Sequence, residues 1–314
     1  MLGHETWFTS AQPPLDWSFT FEPATLAAIA AALAAAVVWV LVGRRLPTPE
    51  LPFLKPLGRL APWIPRLLAI HAGVSLLAQS ARGTYLAPGL ELPAGGFGTA
   101  LAIVEGFVGV WLIAGYRVRP AALLLVAAGP LGMFEYGVGP ILERVDLLGI
   151  ALFLAILPPG YDPGGAVHPR KETVARAMLA LRGLVGTALI VLAFTEKLAR
   201  PALALEFLEE YPAFNVMRSF GLEVSDLTFI RIAGAVELLF GLLILMGVMP
   251  QLAVIIAGIP FNATLFFLGA AELIGHLPIY GAMLALLVYG SSPEFAPVVP
   301  WVPWRRERAT VPAG

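Results

Sequence analysis

Residues 227–248 read LTFIRIAGAVELLFGLLILMGV. Apart from Arg231 near its start and Glu237 near its middle, the stretch is apolar over the ~20 residues that a helix needs to cross hydrocarbon. Gly234, Glu237 and Gly241 stand at i, i+3 and i+7, so one helical face carries an acid flanked by small residues. Small flanks let a neighbouring helix come close. An ionised carboxylate at that depth costs ~2–3 kcal/mol or more unless it is paired or wet, so Glu237 must face protein or water.

The rest of the chain has the same character. Of 314 residues, 58% are hydrophobic and 13% charged, with a mean hydropathy of +0.82. Soluble domains carry about 25% charged residues. Long apolar runs recur, among them Leu26 to Val42 and Phe97 to Ala114, and imply a multi-pass membrane protein. The net charge is −1 and the basic residues are dispersed, which excludes nucleic-acid binding. The absence of cysteine excludes disulfides, thiolate nucleophiles, iron–sulfur ligation and Cys-type zinc sites. There are four histidines, His4, His71, His168 and His276. His71 falls near the inner leaflet and His276 near the outer one, which disfavours a bis-His haem. His4 and Glu5 are too few ligands for a metal ion, and no metal site is expected. No Walker motif, GxGxxG, GxSxG or HExxH occurs, so nucleotide hydrolysis, Rossmann binding, nucleophile-elbow and zincin chemistry find no support.

Hydropathy predicts an all-α transmembrane bundle of nine spans: Thr25–Gly43, Ile64–Ser80, Phe97–Gly115, Ala121–Tyr136, Leu142–Leu157, Ala177–Thr195, Leu227–Met246, Leu252–Gly269 and Leu273–Gly290. Residues 1–23 lack the basic and apolar regions of a cleavable leader and read as an external segment. Threading the spans from an outside N-terminus places fourteen of the twenty Lys and Arg in the cytoplasm, including Arg44, Arg45, Arg66 and Arg182. The positive-inside rule then predicts a plasma-membrane protein with its C-terminus cytoplasmic. The expected organisation is a first helix with its connector (24–61), a four-helix unit (62–158), a cytoplasmic linker (159–176), a second four-helix unit (177–291) and a cytoplasmic tail (292–314) in which Trp301 and Trp304 anchor the interface.

The two units are expected to be a parallel repeat. Shifted by 132 positions, Val104 to Leu157 aligns without a gap on Val236 to Tyr289, with ten identities in 54 positions. Glu105 falls on Glu237, Gly109 on Gly241, Gly115 on Gly247, Phe134 on Phe266, Gly137 on Gly269 and Gly149 on Gly281. Arg66 and Arg182, 116 residues apart, mark the starts of the units, and the second has a longer external loop.

Two groups of residues are candidates for chemistry, and no catalytic residue is assigned. The first is an intramembrane polar site of Glu105, Glu237, Arg231 and His71, in which the acids either bind a ligand or are protonated and locked between helices. The second is an outer-face cluster of Glu196, Lys197, Glu272 and His276, with Asp226 or Glu272 as partner for Arg231. Lys197 and Arg200 are expected to snorkel to the interface. Pro130 and Pro260, with Asn262 nearby, interrupt apolar spans and either line a polar pocket or only bend the helices.

In the second unit, Arg182, then Phe194-Thr-Glu-Lys197, then Gly234-Ala-Val-Glu237-Leu-Leu-Phe-Gly241 and Gly275-His-Leu-Pro-Ile-Tyr-Gly281 resemble the DoxX family of four-helix bacterial membrane proteins over residues 177–291. In that family a Lys closes the first helix and a Glu precedes a Gly-rich second helix. The first unit matches in part: Gln79 and Ser80 occupy the region of Lys197, and Arg144 replaces His276. The resemblance implies an integral membrane subunit of a redox or oxidative-stress assembly, with a quinone as ligand and redox or sulfur-metabolism proteins as partners. It also admits a thiosulfate:quinone oxidoreductase. Duplicated units, midplane acids and broken helices keep a third class open, a proton-coupled transporter using the same acids.

Overall fold

Regular structure in the computed structural model, which describes residues 5–9, 13–162 and 164–300, is helical apart from one isolated bridge between Thr84 and Glu91. The longer helices are α1 (Pro23–Gly43), α2 (Ile64–Arg82), α3 (Gly96–Ala114), α4 (Val118–Tyr136), α5 (Val145–Ile156), α6 (Lys171–Leu192), α7 (Pro201–Glu210), α8 (Asp226–Met246) and α9 (Pro250–Ser291). His4 and residues 301–314 of the tail, with Trp301 and Trp304, lie outside the described residues.

Local chemistry sets the helix ends. Proline opens α1, α2, α7 and α9, where a missing N–H costs nothing. The Ser225 hydroxyl accepts the Thr228 N–H and caps α8. Gly83, Gly115 and Gly247 end α2, α3 and α8 in the left-handed conformation that glycine adopts without strain. Left-handed positions recur in pairs: Gly115 with Gly247 (φ 78° and 64°), Arg117 with Met249 (46° and 50°), and Gly137 with Gly269 (83° and 67°). Arg117 and Met249 carry side chains in a conformation such residues seldom adopt.

Among the described residues, seven segments are long and apolar enough to cross a membrane: Pro23–Gly43, Pro52–Arg82, Gly96–Ala114, Val118–Tyr136, Lys171–Leu198, Asp226–Met246 and Phe267–Ser291. Two expected spans, the fifth and the eighth, correspond to the shorter apolar helices Val145–Ile156 and Pro250–Leu265. The last two expected spans form one element, α9, broken only where Gly269 leaves helical geometry (φ 67°, ψ −142°). The linker is shorter than the sequence predicts, because 171–176 already belong to α6. Conversely, the connector after α1 is largely a 3-10 helix, Pro52–Trp63, that runs directly into α2.

The helices cross on glycines. A Cβ on Gly73 (α2) would stand 2.7 Å from the carbonyl oxygen of Gly109 (α3), and one on Gly186 (α6) 2.6 Å from that of Gly241 (α8). The α2–α3 and α6–α8 pairs are therefore in backbone contact, as small residues allow. Two further crossings also rest on glycine: Gly149 of α5 meets Leu181 and Leu184 of α6, and Gly281 of α9 meets Leu68 and His71 of α2. Arg66 donates to Leu112 O at 3.2 Å and the buried Arg182 to Leu245 O, satisfying terminal carbonyls of α3 and α8. At the same end of the bundle, the Glu50 carboxylate caps α9 by accepting the N–H groups of Gln251 (2.6 Å) and Leu252 (3.2 Å). α1 lies outermost, with Leu33, Val37, Val38 and Leu41 exposed as on a lipid-facing surface.

Candidate functional site

Lys197 is not at an interface. After α6 the chain widens into a π-helical turn, Ala193–Leu198, which leaves the neighbours Glu196 and Lys197 both buried. Such turns recur at functional sites because they re-aim side chains within a helix. Opposite them stands Gly234, where a Cβ would press on Leu198 and on Lys197 Cβ, so glycine brings α8 against the turn. Glu237 follows one turn later. The Lys197 ammonium lies 3.2 Å from Glu237, 3.2 Å from Glu5 and 3.8 Å from Glu196. Three carboxyls thus surround one cation out of water.

The third carboxyl comes from the chain's beginning. Residues Glu5–Trp7 form a short 3-10 turn held by Glu196, which accepts the Glu5 N–H at 3.1 Å, the Thr6 N–H at 3.4 Å and the Thr6 hydroxyl at 2.9 Å. Burial pushes the Glu5 carboxyl up to about 8, against the pull of Lys197 and with the repulsion of Glu196 and Glu237 adding to it. Trp7 fills a notch over Gly275 and Gly89, 5.4 Å from the His276 ring and 5.6 Å from the Arg144 guanidinium. Arg144 is buried, donates to Gly275 O and lies 3.7 Å from Asp146. His276 lies 3.3 Å from Glu272 on the same helix.

The sequence-derived grouping is therefore redrawn. Lys197 and Glu196, expected at the outer face, join Glu237, expected in the membrane, because the π turn aims them inward. Glu272 and His276 pair with each other, and the Trp7 ring covers His276. Arg231 leaves the intramembrane group: its guanidinium pairs with Glu22, donates to Thr25 Oγ1 at 3.1 Å and stacks on Phe19, tying α8 to the entrance of α1. Asp226, one of its expected partners, instead receives Arg218 and Asn215, both at 2.8 Å. His71 hydrogen-bonds the Leu67 carbonyl at 2.8 Å and packs on Gly281, a packing role. Asn262 donates to Gly258 O one turn back and lines no polar pocket.

Glu105 has a different environment. Its Oε1 accepts the Leu86 N–H at 2.9 Å, from a hairpin loop whose Tyr85, Leu86 and Ala87 are buried in the bundle. Leu86 holds φ 58°, which turns its N–H towards the carboxyl. Nearby, the Thr84 hydroxyl donates to Gln79 Oε1 at 2.7 Å, both side chains buried. Oε2 of Glu105 is buried with no hydrogen-bond partner, and Glu105 is one of the residues lining an apolar cavity of about 250 Å³ between α3 and α4. Arg144 is within electrostatic reach of Glu105, whereas Glu237 is served by Lys197. Glu237 and Glu105 thus do different things: Lys197 closes on the first, and the second lines a cavity.

The chain matches no protein-family model, no curated protein and no solved structure. Among the described residues no group of three His, Asp or Glu side chains is arranged to hold a metal ion. Sequence reasoning missed Glu5, Trp7 and the 84–87 loop as site members. The signal available for Glu5 was an acid beside Thr and Trp in a segment expected outside the membrane, which does not point to a partner.

Proposed function

We propose that the chain is a DoxX-like integral membrane subunit of a redox or oxidative-stress assembly, docking a lipid-soluble quinone and performing no catalysis alone. The observation that carries this is the ion pair of Lys197 with Glu237, the Lys and Glu that the resemblance singles out, which meet at 3.2 Å in the core although they stand on different helices. A duplicated architecture of one helix plus two parallel four-helix units is supported by the left-handed pairs 132 residues apart and by the recurring glycine crossings. We take the two shorter apolar helices as spans of that arrangement, nine in all, in the plasma membrane with the N-terminus outside. The burial of Lys197 among Glu5, Glu196 and Glu237 makes this centre a built, water-poor element rather than an aqueous ion path, which favours the subunit over a proton-coupled carrier.

The test is native purification in mild detergent. A co-purifying redox protein, an extractable quinone and quinone reduction that needs the partner are expected. Neither partner nor quinone, together with uptake into proteoliposomes that is lost in Glu237→Gln, would overturn the subunit in favour of the carrier. Thiosulfate-dependent quinone reduction by the isolated chain would instead make it an enzyme.

A further inference from the structure

We propose that the cavity beside Glu105 is a binding site for a membrane-soluble amphiphile, whose apolar chain or ring lies between α3 and α4 and whose head hydroxyl bonds to Glu105 Oε2. This deepens the reading above by assigning lipid-soluble ligands to the first unit, and it rests on that reading only for the suggestion of a quinol.

The walls decide the route of entry. Leu76, Leu101 and Val108 are buried at the back, while Phe97, Val104, Leu124 and Leu131 are exposed apolar side chains at the mouth. These mouth residues belong to two helices long and apolar enough to cross a membrane, so the cavity opens sideways to hydrocarbon and not to water. Its volume also sets the size of the guest. A dry aliphatic cavity of ~150 Å³ takes a benzene ring. The cavity here, about 250 Å³, holds a ring with part of a chain, or a medium-length chain alone.

The polar group decides the head. Glu105 is 4% exposed and lines the cavity, and its Oε1 is anchored by Leu86 N–H, which leaves Oε2 buried and unpaired. Tyr85, the other polar side chain lining the cavity, donates its hydroxyl to Ala128 O at 2.8 Å and does not quench Glu105. A buried polar atom without a partner is costly, so a ligand that supplies one gains accordingly. A hydroxyl fits best because it donates to a carboxylate and accepts from a carboxylic acid, whichever form Glu105 takes. Water is a poor occupant, since it needs two to four polar partners and the cavity offers chiefly this one. In the second unit Lys197 fills the corresponding need of Glu237; the first unit has Gln79 and Ser80 in that region, which leaves its acid open.

The experiment uses the full chain in nanodiscs with two tritiated probes, decylhydroquinone and 1-decanoylglycerol, and the dimethyl ether of the hydroquinone as a probe without a hydroxyl. Variants are Ala100→Trp, which blocks the mouth from an exposed position, and Glu105→Leu, which removes the head contact. Saturable binding of at least one hydroxyl probe, about one per chain, weakened about tenfold or more by either variant, and weaker still for the ether, is expected. No saturable binding, or equal affinities for both variants and for the ether, overturns the site. Should Glu105→Leu not fold, Ala100→Trp alone decides. Binding of 1-decanoylglycerol without the hydroquinone keeps the site and removes quinone from the function proposed above. Quinone and partner retained equally by Ala100→Trp and wild type keeps that function and overturns this site.

Discussion

Replacing Lys197 by methionine tests the buried centre most directly. The substitution keeps the length of the side chain and removes the one cation, leaving Glu5, Glu196 and Glu237 together out of water. At an effective dielectric of ~20, a unit charge pair at 3.2 Å interacts by ~5 kcal/mol, and the desolvation of the ammonium and proton uptake by the carboxyls offset much of that sum. Removing one member of a buried pair costs ~3–5 kcal/mol in practice, a factor of more than a hundred in the folding equilibrium. The protein without Glu237 as well has fewer uncompensated charges, so Lys197→Met/Glu237→Gln is expected to recover ~1–3 kcal/mol of the loss. The assay is thermal unfolding in nanodiscs of wild type, both single variants and the double. The chain has no cysteine, so Thr9→Cys provides a unique site for an environment-sensitive dye that reports release of the Glu5–Trp7 segment. Unchanged unfolding and dye signal in Lys197→Met, or a double variant no better than the single, would show that the cation does not organise the centre.

Other consequences concern pH, packing and capping. The Glu5 carboxyl is raised to about 8 when docked, so the docked segment binds more protons than the free one between its ordinary value of 4.5 and about 8. Docking therefore weakens as pH rises through that window, and dye at position 9 should report release with rising pH in wild type and not in Glu5→Gln. Gly186→Ala forces a Cβ to 2.6 Å from the Gly241 carbonyl, a backbone atom, and should cost ~1–3 kcal/mol in thermal unfolding. Gly183→Ala, with open space around its Cβ, should be neutral or slightly stabilising. Glu50→Ala strips the cap from α9 and should cost ~1–2 kcal/mol, and proteolysis near 250 should accelerate.

Much of the fold was legible because membrane helices announce themselves by run length. The apolar runs at 25–43, 97–115 and 227–246 each became one helix with ends within a few residues. Two expected spans are shorter helices in the structure, Val145–Ile156 and Pro250–Leu265. The buried Arg144–Asp146 pair at the start of α5 and the break at Gly269 in α9 are features that hydropathy averaging does not resolve. Of the candidate site, the sequence singles out Glu105, Glu237, Glu196 and Lys197, and the structure buries all four. Their grouping differs from the expected one, because a helix position specifies a face and not the neighbour across from it. Lys197 was assigned to the surface on its depth alone, and a single π turn sufficed to turn it inward.

The sequence by itself determined that the chain is a helical membrane protein, which residues occupy the apolar spans, and that two of those spans each carry one acid with flanking glycines. Those properties depend on composition and spacing along one helix, and any partner arrangement must respect them. Tertiary structure alone decided what each acid meets. Glu5 reaches Glu196 across 191 residues, Lys197 takes Glu237 from another helix, and Glu105, bonded to the Leu86 N–H, lines an apolar cavity. Partner choice among buried charges is set by which helices approach closely, and that follows from glycines meeting glycines and from one widened turn, contacts between residues far apart in the chain.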